Sequence, residues 1–181
     1  MNTTVDKTIS RARDHYVDQF LSLVSHQMSQ HKDGAAEVKL KLADDSAVFE
    51  QLYCADFLHG NPPQIVEFQV ENNENIEQVT VAIGRCSISV EQVCWDSVIV
   101  HHDLEGFADS RLSVWFNYWF DTMDERQESS NCASNIIHSV SIEHRSISVD
   151  FGTAASKALW ELLDLLKAAG ASDIRISSSR T

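Results

Sequence analysis

A chain of 181 residues with 43% hydrophobic content, 23% charged content and two prolines has the make-up of one globular domain and excludes a disordered or fibrous protein. No apolar run approaches the roughly 18 residues that span a bilayer, and Met1 to Ser10 lacks the apolar stretch of a signal peptide, so a cytoplasmic address and no membrane partner are expected. The net charge is −13, and between Asp44 and Glu125 there are 16 acidic residues against only Arg85 and Arg111, a one-signed field that repels nucleic acid and attracts basic partners.

The spacing of Val5, Ile9, Ala12, Tyr16, Phe20, Val24 and Met28 predicts a helix over 5–31, with Gly34 as its stop. This N-terminal helix, within residues 1–34, is expected either to pack on the sheet of a single domain spanning 1–181 or to act as an arm against a second subunit. Val38, Leu40 and Leu42 alternate with Glu37, Lys39 and Lys41, a strand with one wet face. Val48, Phe49, Leu52 and Tyr53 sit in helical register over 46–54, before the break at 59–63.

Residues 65–100 read as a four-strand antiparallel meander. A two-residue loop at Gly84-Arg85 opposes Ile83 to Cys86, Val81 to Ile88 and Val79 to Val90, so that both apolar sets share a face. A loop at 72–75 would oppose Val66 to Val81 and Phe68 to Val79, and a turn or bulge at Glu91-Gln92 would start a strand over 93–100. The outer face would carry Glu67, Gln69, Glu71, Gln78, Thr80, Ser87 and Ser89.

Leu104 to Met123 predicts an aromatic helix. Ala108, Leu112, Trp115, Phe116, Trp119, Phe120 and Met123 form its core arc, and Phe107, Val114 and Tyr118 form a second ridge. A polar loop over 124–135 follows. Ile136, Val140 and Ile142 occupy even positions and Ile147, Val149 and Phe151 odd ones, which requires a turn or a bulge within 143–146. Thr153 is placed to cap a helix running to Ala169, with Leu159, Leu162, Leu163 and Leu166 inward and Gly170 as its stop. A short strand over 173–177 ends the chain.

Helices interleaved with antiparallel sheet segments make the expected class α+β, with the sheet packed against three main helices. Cysteines 54, 86, 94 and 132 show no C-x-x-C pair and read as buried free thiols. His101-His102-Asp103 offers metal-ligand chemistry, but successive strand residues point to opposite faces, so no metal site is expected there. His138 and His144 share the parity of Val140 and Ile142. Either could serve as a general base with help from Asp150 or Glu143, or be held by hydrogen bonds in the core. Asp150-Phe151-Gly152 matches the magnesium tripeptide of kinases without the accompanying motifs. No glycine pattern supports phosphate or dinucleotide binding, and no cofactor is expected.

In element order and acidity the chain resembles two groups of bacterial binding proteins, the small acidic chaperones of secreted effectors and the immunity proteins that plug a basic toxin. The resemblance implies a non-enzymatic domain that binds another, basic protein. The candidate contact residues are Glu67, Gln69, Glu71, Glu77, Asp109, Tyr118 and Asp121. A small-ligand binder or hydrolase-type enzyme using His138, His144 or His101, and a homodimer joined at the Tyr118 ridge, are the alternatives.

Overall fold

The structure is a computed structural model and describes residues 3–43, 46–71, 79–83, 85–107, 110–125 and 133–179. It opens with helix α1 (Thr3–Gln30), whose buried positions Val5, Ile9, Tyr16, Phe20 and Val24 are the stripe that the sequence spacing predicts. Two sheets follow. The smaller is antiparallel and three-stranded, in the order β1 (Ala35–Lys41), β2 (Leu52–His59) and β3 (Gln64–Val66).

The larger sheet has six strands. In chain order they are β4 (Val79–Ile83), β5 (Cys86–Val90), β6 (Val98–His102), β7 (Ser139–Glu143), β8 (Ser146–Asp150) and β9 (Asp173–Ser178). In space they run β4-β5-β9-β6-β8-β7, with β5 and β9 parallel and every other pair antiparallel. Helices α2 (Ser110–Phe120) and α3 (Lys157–Ala168) pack together. Their inner faces, the inner face of the large sheet and the stripe of α1 form one hydrophobic cluster. The architecture is therefore α+β, with sheets covered by helices. No helix among the described residues is long and apolar enough to cross a membrane.

The four-strand meander does not form, although its central hairpin does. β4 and β5 pair Val79 with Val90, Val81 with Ile88 and Ile83 with Cys86, the register that parity requires. The segment expected to precede β4 instead gives β3, which pairs with β2 through Val66 and Phe57. At the other end, β9 lies between β5 and β6. Glu91 and Gln92 make no tight turn there. The Glu91 amide donates to the Ile176 carbonyl and the Cys94 amide to Ser178 Oγ, so residues 91–97 pass around the C-terminal end of β9 before β6 begins. Ile174 and Ile176 of β9 are fully buried, as a central strand demands.

Other elements depart from expectation for local reasons. The helix expected over 46–54 is a short 3-10 turn, Phe49–Gln51, with positive φ at Glu50 and Gln51, and the chain then enters β2. Gly34 does not supply a helix-ending conformation. It begins the approach to β1, where a Cβ would lie 2.2 Å from the ring of Phe57. The question at 143–146 resolves as a hairpin, with Glu143 paired to Ser146 and Val140 to Val149.

Helix α2 is shorter than the apolar pattern. Leu112, Trp115, Phe116, Trp119 and Phe120 are buried, whereas Met123 lies beyond the helix and is 76% exposed. Trp115 Nε1 donates to the Ala158 carbonyl at 3.0 Å and Trp119 Nε1 to Glu161 at 2.8 Å, which satisfies both indoles against α3. Thr153 does not cap α3, which starts four residues later, and its hydroxyl is used elsewhere. Gly170, at φ +104, does end the helix in a left-handed turn.

Candidate functional site

The two sheets meet along a seam where β2 lies against the residues leading into β7. The Cys54 amide donates to the His138 carbonyl at 2.7 Å, and Val48 bridges to Ser141. The His138 amide in turn donates to the Asp150 carbonyl at 2.8 Å. Four segments distant in sequence thus bring Glu37 from β1, Asp56 from β2, His138 from the lead into β7 and Asp150 from the end of β8 to one place.

Glu37 reaches it by breaking the alternation of β1. Its φ is +50, a conformation that side chains of this kind seldom adopt, and the carboxylate turns inward, leaving 1% of the side chain exposed. The expectation that Glu37 lies on a wet face is therefore wrong. Inside, the carboxylate accepts hydrogen bonds from His138 Nε2 at 3.1 Å, Thr153 Oγ1 at 2.5 Å and the Ser134 amide at 2.5 Å. Burial pushes its pKa up, but the hydrogen bond and charge of His138, with the bonds from Thr153 and Ser134, outweigh burial and hold it below the ordinary carboxylate value.

The imidazole of His138 is 2% exposed. Phe20 of α1 meets it edge-on at 5.8 Å between centroids, and Gly152 underlies it so closely that a Cβ there would fall 2.2 Å from Cδ2. Its Nδ1 lies 3.0 Å from Asp56 Oδ1 and 4.0 Å from Asp150 Oδ1. The first contact is an ion pair by distance, yet it is poorly aligned, and neither Nδ1 nor Asp56 Oδ1 completes a hydrogen bond.

Burial alone would drive the proton off His138, but the surrounding negative groups raise its pKa well above the ordinary imidazole value. Cys54 counts among those groups only at the alkaline extreme, because its own buried thiol is pushed up to about 12. Across the neutral range the proton is held by Asp150, Asp56 and Glu37. Asp150 shows the converse: burial raises its carboxyl to about 7, with Asp56 and Asp96 adding to the rise while His138 and the Gly152 amide oppose it. Its side chain keeps 27% exposure, so water reaches it and the effect of burial is tempered.

Asp56, His138 and Asp150 line a cavity of about 250 Å³ whose wall also includes Tyr53, Phe68 and Ser139, and Glu67 and Gln69 contribute to its lining from the segment after β3. That segment is pinned from two sides. The Phe68 amide donates to Asp56 Oδ2 at 2.7 Å, while Gln19 of α1 brackets the backbone of Glu71, its side-chain NH2 donating to the carbonyl and its carbonyl accepting from the amide, both at 3.0 Å.

The residues expected from sequence fall in several places. Glu67 and Gln69 are exposed at the cavity and Glu71 is exposed just beyond it. Glu77 and Asp109 lie outside the described residues, as do Gln78, Ala108 and Cys132. Tyr118 (55% exposed) and Val114 (69%) line a different groove, between α2 and α3, with Arg111 and Lys157. Asp121 is buried rather than exposed, facing Lys39, which bonds both its carbonyl and carboxylate and also reaches Asp124 at 2.6 Å. Cations from the ends of the chain thus neutralise some central acids, with Arg145 on Glu105 and Arg175 near Glu91. Among the described residues no lysine or arginine forms such a pair with Asp56, Glu67 or Glu71.

Of the expected histidine partners, Asp150 is beside His138, whereas Glu143 and His144 are exposed at the β7–β8 turn. His101 bonds Ser177 Oγ at 3.0 Å, and burial with Arg175 lowers its pKa. His102 is buried on the opposite side of β6, as strand alternation requires. Among the described residues no three histidine, cysteine or acidic side chains are grouped to hold a metal ion. Cys54, Cys86 and Cys94 are buried free thiols. Sequence reasoning put Glu37 on a wet face and gave Asp56 no role. It named Asp150 as a helper for a histidine base but gave Gly152 no part, although both flank the imidazole. The available signal was His138 itself, a polar residue following directly on Ile136 and Ile137. None of the family models, curated proteins or solved structures compared with the chain matches it.

Proposed function

We propose that this chain is a non-enzymatic binding domain for a basic protein, in the manner of an inhibitor or an escort, and that the mouth of the cavity at the seam is its contact surface. The observation that carries the reading is the charge of that cavity: Asp56, Glu67 and Asp150 line it against the single imidazolium of His138, and no lysine or arginine of the described residues does. Glu71 extends the negative rim. Complementary charge of this kind speeds encounter and selects partners, and its effect weakens as salt screens it. His138 suits an electrostatic support better than a catalytic base, since it keeps its proton in the neutral range and both ring nitrogens face carboxylates.

Affinity capture from source lysate at low and high salt tests the reading, with a Glu67→Lys, Glu71→Lys double variant beside the wild type. A basic partner held by the wild type at low salt, and released by either salt or charge reversal, is expected. A partner indifferent to both overturns it.

Asp150 favours a second reading, an acid–base enzyme of hydrolase type, because a carboxyl near 7 opening on a cavity can give or take a proton at neutral pH. Under that reading, model esters, amides or phosphoesters are turned over and Asp150→Asn abolishes the turnover. The first reading expects no turnover at all.

A further inference from the structure

We propose that the groove between α2 and α3 closes against the same groove of a second copy of this chain, in a dimer with two-fold symmetry. The inference is independent of the seam cavity, with which the groove shares no lining residue. The groove has a volume of about 700 Å³, and Val114, Tyr118 and Leu165 give it an apolar lining. Val114 is 69% and Tyr118 55% exposed, although the remaining large apolar side chains of α2 are buried. Exposed apolar surface alone does not say what covers it. The charges around it do.

On a chain of net charge −13, a second copy is repelled wherever the surface is acidic. The rim of this groove is balanced instead, with Arg111 and Lys157 set against Glu161 and Asp164. A strongly basic partner meets like charge at the first pair, and a strongly acidic one at the second. A mixed surface avoids both penalties when its signs fall in the right order.

The spacing of these residues supplies that order. In an isologous dimer each patch meets its own copy, and a two-fold axis lying across both helices sets each antiparallel to its counterpart. Arg111 and Tyr118 are seven residues apart on α2, with Val114 between them, and Lys157 and Asp164 are seven apart on α3. Seven residues make two turns, about 10.5 Å along the axis, so both members of each pair lie on one helix face. Trp115 bonds the Ala158 carbonyl and Trp119 bonds Glu161, which places the middle of α2 beside the middle of α3. One axis can therefore cross both, near Val114 and between Trp160 and Glu161.

That axis brings Arg111 over the ring of Tyr118 of the second copy and Lys157 to Asp164 of the second copy, each contact occurring twice. The first is a cation–π contact and the second an ion pair, while Val114 meets Val114 at the centre. Glu161, close to the axis, adds little repulsion. Its carboxylate already holds Lys157 at 3.1 Å and Trp119 Nε1 at 2.8 Å.

Sedimentation equilibrium of the full chain across the micromolar range tests the pairing, with melting curves to confirm that each variant folds. The wild type is expected at twice the chain mass of 20.3 kDa. Val114→Asp, at an exposed position, sets two carboxylates together at the axis and should give the monomer. Lys157→Glu and Asp164→Lys alter side chains that are 70% and 71% exposed. Each sets like charges across the axis twice and should raise the dissociation constant roughly tenfold. The double variant restores opposite signs and should recover most of that loss.

A wild type that stays monomeric overturns the proposal, and so does a dimer indifferent to both Val114→Asp and Lys157→Glu. A dimer that the double variant weakens further has another geometry, and the two-fold pairing falls. Should the chain be monomeric while Val114→Asp abolishes capture of a different protein, the groove belongs to that protein and self-pairing is overturned.

Discussion

Replacing Glu37 by glutamine changes one atom and one charge at the centre of the seam. The carboxylate accepts from three donors, His138 Nε2, Thr153 Oγ1 and the Ser134 amide. With the amide oxygen kept toward His138 and Thr153, its NH2 faces the Ser134 N–H, and one buried donor loses its acceptor at a cost of about 1–3 kcal/mol. The imidazolium also loses its best-aligned counter-charge. Breaking a buried pair from one side costs about 3–5 kcal/mol when the remaining charge has no escape, but His138 can shed its proton and still faces Asp56 and Asp150, which limits this part. A total near 3 kcal/mol follows, about 6–12 °C in melting temperature for a chain of this size.

The cost should depend on pH in a defined way. Glu37 is depressed in the folded state, so its contribution is complete above the ordinary value of 4.5 and fades as pH falls through the folded value. His138 is raised, so its contribution is complete below 6.5 and fades as pH rises through the folded value. The penalty of Glu37→Gln is therefore greatest between about pH 4.5 and 6.5 and smaller on either side. Urea unfolding of both proteins at pH 3.5, 5.5 and 8.5 measures it. A penalty that is constant across the three, or largest at pH 8.5, refutes the assignment of a charged pair.

Three other outcomes are expected. Gly152→Ala meets both a φ of +47 and the His138 ring at 2.2 Å, so a loss of at least about 2 kcal/mol in unfolding free energy is expected. A variant as stable as wild type would mean that the ring moves freely. Asp150→Asn behaves with the opposite pH sign to the ordinary acid. Because the folded carboxyl titrates near 7 rather than 3.8, wild-type stability declines as pH rises through that window. The variant should gain on the wild type from pH 4 to 7.5, by no more than about 1.4 kcal/mol per pH unit, and parallel stability curves would contradict this. Gly34→Ala places a methyl group on Phe57, and a lower melting temperature with β1–β2 amide exchange accelerated ahead of the large sheet is expected.

What the sequence made legible was local. The hairpin β4–β5 follows from parity, since a strand pair joined by two residues has a single register that keeps Val81 with Ile88 on one face, whereas at 143–146 parity required only a turn or a bulge, and the pairing of Val140 with Val149 decides for the hairpin. The stripes of α1 and α3 follow from helical period in the same way. β9 was out of reach because its place depends on the ends of two other strands: a six-residue run at the end of the chain reads the same whether it lies at an edge or in the centre. Residues 46–54, which include only the start of β2, were read as helix because Val48, Phe49, Leu52 and Tyr53 fit a helical period by coincidence, and two positive φ values at Glu50 and Gln51 divert the chain.

The cluster at the seam was illegible for a related reason. Glu37 and His138 are 101 residues apart, and Glu37 faces inward only because its own backbone departs from the strand that the neighbouring residues predict. Glu37 and Asp56 belong to the small sheet, His138 and Asp150 to the large one, so the ionic cluster is also a joint between the two. A well-packed apolar joint of similar volume would be at least as stable, and the polar one admits a cavity whose walls are charged. Under the binding reading, stability and recognition depend on the same protons: Asp150 loses its proton most readily when a cation stands beside it, and His138 keeps its own only while the carboxylates stay in place. A basic partner's cation at the mouth of this cavity should therefore release protons from Asp150, and calorimetry in buffers of different ionisation enthalpy at pH 6.5 should detect that release, absent in Asp150→Asn.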